Sequence, residues 1–508
     1  MLTPTTELEL HSRRGRLALL ATVLASSVAL LDATIANVAL PHIADDLDAD
    51  VAGLQWVING YLLTLASLIL LGGALGDRFG RRRVFVVGAV WFGVASLGCA
   101  LAPDLTTLVI ARMLQGVGGA LLTPTSLALT QSSFVRRDRG AAVGAWSGLG
   151  GLAGAIGPFI GGWLVDGPGW RWAFLINVPL VAITLVASRA LPESGRDPAS
   201  AAGGRARFDV AGAVLGAVTL AALTWAITEA PPRGMDDPTV VGAAVLAVVG
   251  AISFVVVERR VPDPLVPASL FESRTFTVLN IATFALYATI GAQFFLLVYQ
   301  LQVTAGWSAI AAGSALIPAT FLMLFGSAKS GALATRIGPR PQLIVGPLLL
   351  SAGMLLLAGV DRDADWVTDV LPGALLFGLG LVVFVAPLTA SVMGSVDDAL
   401  VSTASGVNNA IARTGGLMAV AVIPSVSGLA TARGAEAVTD AFRTGMYIAA
   451  TFGVVASVIA AVGLPHRTPT RRSARQYHCA VDGAPLQPDP AECPPPPLTG
   501  AGIPARGD

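Results

Sequence analysis

The chain has 508 residues, of which 54% are hydrophobic and only 13% charged, and its mean hydropathy is +0.71. Soluble domains hold about 45 to 50% apolar residues, so this composition predicts a protein that lies in a lipid bilayer. The formal net charge is zero, which argues against the basic field that nucleic-acid binding requires. Cys99, Cys479 and Cys493 lack the spacing of a zinc site, so we expect no metal centre.

Apolar runs long enough to cross a bilayer recur along the chain. A membrane helix needs about 20 mostly apolar residues to cross a hydrocarbon core of about 30 Å. We predict fourteen such spans, an all-α multi-pass membrane protein. They cover residues 17–40, 53–75, 84–102, 105–131, 140–165, 171–191, 210–230, 239–257, 275–301, 309–332, 341–360, 367–393, 400–425 and 443–464. The first run is too long for a signal peptide and contains Asp32, so we expect it to stay in the mature protein.

Arginines are concentrated in every second predicted loop, and basic residues in short loops mark the cytoplasmic side. Arg81, Arg82 and Arg83 are examples. This alternation predicts a protein of the cell membrane with both termini in the cytoplasm. The loop before the thirteenth span departs from it, because it carries Asp397 and Asp398 and no arginine.

A sequence between spans two and three recurs between spans ten and eleven. Its first copy runs from Gly73 through Asp77 to Gly80 and three arginines, and its second runs from Gly331 to Gly338. The recurrence predicts two similar six-helix bundles with two helices inserted between them, a transporter design with the substrate site between the halves. The predicted boundaries are an N-terminal segment 1–16, a bundle 17–191, a linker 192–209, the inserted helices 210–257, a second bundle 258–464 and a disordered cytoplasmic tail 465–508.

Asp32 is the one acid that lies well inside a predicted span. An ionisable residue in the membrane interior is costly and therefore indicates function. Arg112 in the fourth span lies about seven residues from the same external interface, so at ~1.5 Å per residue both sit about 10 Å deep. We hypothesise that they pair in one state and that protonation of Asp32 releases the pair. The alternatives are a purely structural ion pair and an acid that reaches up to the outer interface.

The chain resembles the major facilitator superfamily, and within it the fourteen-span drug:proton antiporter family, over about residues 15–464. The resemblance rests on four motifs besides the repeated loop. These are Leu31–Pro41 in the first span, Ala111–Gly119 with Arg112, Gly157–Gly162 in the fifth span, and Trp170–Pro179 before the sixth. The second copy of the loop departs from the family pattern, with Thr335 in place of the acid.

The resemblance implies roles for two of these motifs. The first signature loop is expected to latch the halves at the cytoplasmic mouth, through Gly73, Asp77, Arg78, Gly80 and Arg81. The motif associated with antiporters comprises Gly157, Pro158, Gly161 and Gly162. Its glycines favour close helix contact, and its proline favours a kink.

A hydrophobic substrate cavity is expected to hold a few polar or aromatic groups. The candidates inside spans are Asn37, Asn59, Tyr61, Gln115, Gln293, Tyr299 and Arg413. For Arg413 the sequence leaves open an anion-binding role and a structural one. Lys329 is interpreted as a residue that extends its ammonium to the interface.

Together these features predict a secondary transporter that exports a small hydrophobic molecule in exchange for protons. A proton-coupled importer and a non-transporting membrane sensor are the alternatives. An enzyme is not expected, since no catalytic residue set or phosphate loop is evident. The proton gradient would supply the energy without a cofactor.

Overall fold

The computed structural model describes residues 7–192, 209–262, 264–397 and 400–465. Within these ranges fourteen helices are long and apolar enough to cross a membrane. In chain order they are α1 (Arg13–Leu47), α2 (Val51–Phe79), α3 (Arg81–Ala100), α4 (Leu105–Ser133), α5 (Arg139–Asp166), α6 (Arg171–Ala190), α7 (Val210–Arg233), α8 (Pro238–Glu258), α9 (Arg274–Val303), α10 (Ala309–Ile337), α11 (Arg340–Leu357), α12 (Trp366–Gly394), α13 (Val401–Val426) and α14 (Ala435–Gly463). The predicted number of spans is therefore confirmed. The predicted linker and tail fall almost entirely outside the described residues.

Several helices extend beyond the predicted apolar runs, because their polar ends continue the helix past the hydrocarbon core. The largest extension is at α14, which begins at Ala435 rather than at residue 443. Carboxylate caps fix other helix starts: Asp50 accepts from the Gly53 N–H at 2.8 Å and Asp104 from the Thr107 N–H at 2.8 Å. Inside α10 the helix is interrupted after Ser314 and resumes at Ile317.

The two bundles, α1–α6 and α9–α14, use the same helix pairings. In the first bundle α2 and α3 pack on α4, while α1 packs on α5 and α6. The second bundle repeats this pattern eight helices later, with α10 and α11 on α12, and α9 on α13 and α14. The repeated loop also has the same backbone in both copies, since Gly80 (φ 102°) and Gly338 (φ 81°) end their helices in a conformation that favours glycine. The predicted fold of two six-helix bundles plus two helices is confirmed.

The bundles meet along two seams, where α2 packs on α13 and α5 packs on α10. The inner side is defined here as the side of the α2–α3 loop, and the outer side as the opposite one. At the outer end of the first seam, the Gln55 side chain of α2 donates to the Val420 and Ala421 carbonyls of α13 at 2.6 and 3.1 Å. The Gln302 side chain of α9 likewise donates to the Val38 carbonyl of α1 at 3.0 Å. These bonds hold the bundles together on the outer side.

The second seam is closed at its outer end and open at its inner end. Asp166 at the end of α5 accepts from the backbone N–H groups of Ala309 and Ile310 at 2.9 and 2.8 Å. On the same face of α5, Gly144 and Gly148 lie toward the inner end, and no described atom of another helix is within 4 Å of where their Cβ atoms would be. The structure is therefore a conformation closed on the outer side.

The inserted helices α7 and α8 pack on each other, and α7 lies across the outer part of the α2–α13 seam. Trp56 of α2 donates its indole N–H to the Glu229 carboxylate of α7 at 2.9 Å. Ser425 of α13 donates to the Ile227 carbonyl of α7 at 3.3 Å. The inserted pair is thus fastened to both bundles. Most of α8 remains exposed on the outside of the fold.

Candidate coupling site

The centre of the first bundle holds a fully buried ion pair. Arg112 of α4 donates from Nη1 to the Asp32 Oδ2 of α1 at 2.5 Å, and both side chains are almost completely buried. The matched depth in the sequence thus anticipated a direct contact. Burying two opposite charges is tolerable only when the remaining polar atoms also find hydrogen bonds.

The remaining Asp32 oxygen is satisfied by two side-chain amides. Gln115 donates from Nε2 to Oδ1 at 2.8 Å, and Asn177 donates from Nδ2 to the same oxygen at 2.8 Å. Asp32 therefore accepts three hydrogen bonds, all from donors that belong to other helices. This arrangement suits an ionised carboxylate, which accepts hydrogen bonds and has none to donate.

Arg112 has further partners that do not depend on Asp32. Its Nε donates to the Val57 carbonyl at 2.9 Å, and Nη1 also donates to Gln115 Oε1 at 2.6 Å. Its guanidinium lies 4.5 Å from the ring centroid of Tyr61 and 5.5 Å from that of Phe174. Cation–π contacts of this kind stabilise a buried guanidinium. The arginine can therefore remain in place if the charge of Asp32 is neutralised.

Ser96 and Asn177 belong to this cluster and were not among the predicted site residues. Ser96 of α3 accepts from Gln115 Nε2 at 2.8 Å, and Asn177 of α6 makes a longer contact of 3.4 Å with the same hydroxyl. Asn177 belongs to the motif before the sixth span, and its burial next to Asp32 gives that motif a physical role. Ser96 has no sequence signal of its own.

The antiporter motif packs directly beside the ion pair. Gly157 lies against Thr34 and the Leu31 carbonyl of α1, and a Cβ at Gly161 would lie 3.1 Å from the Ile35 side chain. Pro158 and Gly162, which follow Gly157 and Gly161, face the other bundle. The Pro158 carbonyl contacts Gly313, and Gly162 contacts Ile310. Any side chain at Gly157 or Gly162 would collide with these neighbours. One helix thus joins the Asp32 segment of α1 to the opposite bundle.

The signature loop lies on the inner side, and its acid pairs locally. Asp77 accepts from Arg81 Nε at 2.9 Å, in an exposed pair of residues four apart. The Arg78 guanidinium lies 5.5 Å from the Phe79 ring centroid. A Cβ at Gly73 would meet only Pro124 of α4, at 3.6 Å. These positions fit the α2–α3 turn, and a latch between the halves remains a prediction.

The predicted cavity residues lie in different surroundings. Tyr61 and Gln115 belong to the ion-pair cluster described above. Asn59 and Gln293 are fully buried, and their amide atoms find no hydrogen-bond partner among the described residues. Asn37 donates to the Ala33 carbonyl of its own helix at 3.0 Å.

The two remaining candidates differ from each other. Tyr299 stacks on Phe295, with ring centroids 6.3 Å apart. Arg413 of α13 is partly buried, and its Nε is buried without a hydrogen-bond partner in the described part of the chain. Its role as a cavity residue stays a prediction.

Two bundles with the same helix pairings, the first of which encloses a buried ion pair, are the architecture of a multi-pass membrane transporter. The sequence model of the Major Facilitator Superfamily matches residues 22–420. The chain belongs to this superfamily.

Relatives in the superfamily carry names that refer to drug resistance. The chain is 37% identical to the puromycin resistance protein of Streptomyces alboniger over 420 residues, which is 80% of this chain and 81% of that protein. It is 35% identical to the tetracenomycin C resistance and export protein of Streptomyces glaucescens, over 80% of this chain and 74% of that protein. The fold is also similar to the crystal structure of a D-xylose–proton symporter, with a TM-score of 0.63 and 15% identity over 89% of this chain and 98% of that one.

Proposed function

We propose that the protein exports a small hydrophobic molecule, such as an antibiotic, in exchange for protons that bind at Asp32. The observation that carries this proposal is the buried Asp32–Arg112 pair with its two amide donors. The names of the relatives support efflux as the direction and a drug as the substrate.

Proton binding at Asp32 would remove the charge that Arg112 faces and would place a hydrogen atom among three donors. The carboxyl group would then lose at least one of its hydrogen bonds, while Arg112 keeps Val57, Gln115 and Tyr61. The resulting loss of attraction between α1 and α4 would favour a second arrangement of the bundle. A ligand shifts an equilibrium between two states only through its different affinity for them. The coupling energy is therefore the difference in the proton affinity of Asp32 between the two arrangements.

The position of α5 supplies a short route from proton binding to the seam. Gly157 packs on α1 at Leu31, next to Asp32, and Pro158 packs on α10 at Gly313. A shift of α1 would therefore act on α5 and on its contact with the second bundle. In this way the proton would alter the outer closure without direct contact with it.

We further propose that the inner side faces the cytoplasm of the cell and that both termini lie there. The arginines of the α2–α3 loop support this orientation. Residues 7–10 are held on the same side, since Leu8 pairs with Phe134 and the Leu10 N–H donates to the Asp138 carboxylate at 2.9 Å.

Uptake of puromycin into inside-out membrane vesicles tests the function directly. With an imposed proton gradient, acidic inside, we expect the wild type to accumulate puromycin and Asp32→Asn to lose the response to the gradient. Asp361→Asn changes an exposed loop carboxylate and serves as the control, with wild-type uptake expected. Gradient-driven accumulation that survives in Asp32→Asn would refute proton binding at this residue.

A further inference from the structure

A groove on the surface of the second bundle runs along α10 and ends at Lys329. Its inner part has a volume of about 460 Å³. The walls are formed by Pro318, Phe321, Leu322, Phe325, Leu375 and Lys329. Pro318 and Phe321 also line an adjoining outer part of about 760 Å³, which ends at Trp307 and Trp366. The two parts make one continuous, almost wholly apolar groove.

The groove runs along the side of α10 that is next to α12, since Gly326 of α10 and Leu375 of α12 both line it. On α10, Gly313 contacts α5, while Ala319 and Gly326 contact Gly378 and Val382 of α12. Leu322, Phe325 and Lys329 are spaced by three and four residues and share another face of the helix. This face is open to the surroundings, since Phe325 is 66% exposed and Lys329 is exposed.

The length of the inner part matches one lipid leaflet. Eleven residues separate Pro318 from Lys329, which at ~1.5 Å per residue is about 16 Å along the helix. Half of a hydrocarbon core of about 30 Å is about 15 Å. A lipid chain in the groove would therefore reach the bilayer midplane near Pro318 with its headgroup beside Lys329.

The charge of Lys329 has no ion-pair partner in the described part of the chain. It is the only lysine in the sequence, and no ion pair or hydrogen bond to it is found among the described residues. Arg336 lies seven residues further, on the same face and also exposed. At the corresponding place in the first copy of the repeat the chain has Leu71, so the cation is not part of the shared scaffold.

We propose that this groove binds an anionic phospholipid of the inner-side leaflet, with its acyl chain along Leu322 and Phe325 and its headgroup at Lys329 and Arg336. The apolar walls hold the chain, and the two cations select a lipid with net negative charge. A phosphatidylcholine also carries a phosphate, but its own ammonium group offsets the attraction.

Photochemical crosslinking in the membrane identifies the occupant. Full-length protein carries benzoylphenylalanine in place of Phe325, and the adducts are identified by mass spectrometry in vesicles of phosphatidylglycerol and phosphatidylcholine. The same probe in place of Val249 on α8, which is 53% exposed, reports the bulk lipid ratio. We expect phosphatidylglycerol to be enriched about fivefold at position 325 over position 249.

Variants of the lysine separate a charged site from ordinary lipid contact. Lys329→Gln combined with Arg336→Gln should abolish the enrichment at position 325 while adducts with both lipids persist, and Lys329→Arg should keep it. Equal lipid ratios at positions 325 and 249, enrichment that survives in the double variant, or an adduct with a second copy of the chain would each overturn the proposal.

Discussion

The two bundles have the same helix pairings but different chemistry in their interiors. The first bundle encloses Asp32 and Arg112, and the amides of Gln115 on α4 and Asn177 on α6 also donate to the Asp32 carboxylate. At the corresponding helix of the second bundle, α9 carries neutral polar groups such as Asn280 and Gln293. The repeat therefore preserves the scaffold, while among the described residues the buried ion pair is found in the first half alone. The comparison teaches that the helix packing does not depend on the buried ion pair.

The largest expected effect comes from breaking the ion pair on one side. Arg112→Gln leaves the Asp32 charge buried without its main partner, which should lower the free energy of unfolding by about 3–5 kcal/mol. In the second bundle, Gln293→Leu removes a buried amide that has no hydrogen-bond partner among the described residues, and it should be nearly neutral. Thermal unfolding of the purified protein in detergent measures both changes.

The matched double variant sharpens this prediction. Asp32→Asn combined with Arg112→Gln removes both charges and should recover much of the stability lost in Arg112→Gln alone. If Arg112→Gln were as stable as the wild type, the pair would not be a buried, coupled one.

A smaller effect is expected from the amide that orients Asp32. Asn177→Leu removes one hydrogen bond to the carboxylate, worth about 1.5–3 kcal/mol, and should reduce gradient-driven puromycin uptake about tenfold. Asn408→Leu is the matched change in the second bundle, where Asn408 donates to Asn280 and Thr283. Puromycin uptake by Asn408→Leu should depend on the gradient as in the wild type. Equal losses of gradient-driven uptake in both variants would show that Asn177 is merely structural.

Contact between the bundles gives the third prediction. A leucine at Gly162 would collide with the Ile310 backbone, so Gly162→Leu should hold the outer ends of α5 and α10 apart at a cost of about 1–3 kcal/mol to the closed state. Gly148→Leu, on the open part of the same face, should leave this closure unchanged. Distances between spin labels on the outer ends of the two helices report the result. An unchanged distance in Gly162→Leu would contradict the tight seam.

The smallest effect should be equal in the two bundles. Gly80→Ala and Gly338→Ala each place a Cβ at a positive φ, which costs about 1–2 kcal/mol. Because the repeated turn is scaffold, we expect the two variants to lose similar stability in unfolding measurements. A large difference between them would show that the second copy of the turn has become structurally distinct.

Span number and bundle architecture follow from the sequence because both depend on simple regularities. Apolar runs have the length that the bilayer demands, and the repeated loop shows its eight-helix offset directly. The Asp32–Arg112 contact also follows, because two charges at one depth in a membrane interior have strong reason to meet. Helix ends were harder to predict, since polar residues such as those at the start of α14 continue a helix into water.

Side-chain direction explains what the sequence could not reveal. Gln115 and Tyr61 were predicted to line a cavity, yet they surround Arg112 because their faces of α4 and α2 point into the bundle. Ser96 and Asn177 are neutral, so their depth alone carries no energetic signal that would mark them as partners of a charge. A polar residue inside a span can face a cavity or a neighbouring helix, and only the packing distinguishes these cases.

The attachment of α7 to both bundles makes the inserted pair a natural place for an optical sensor. Trp56 and Ser425 hold α7 from opposite sides of the α2–α13 seam, so separation of these helices must break one bond or tilt α7. Since α8 packs on α7 and is largely exposed, a fluorophore attached to α8 would report a tilt of α7. Opening and closing of the outer side would then be followed as changes in the fluorescence of a single molecule, with no label near the ion pair or the seams.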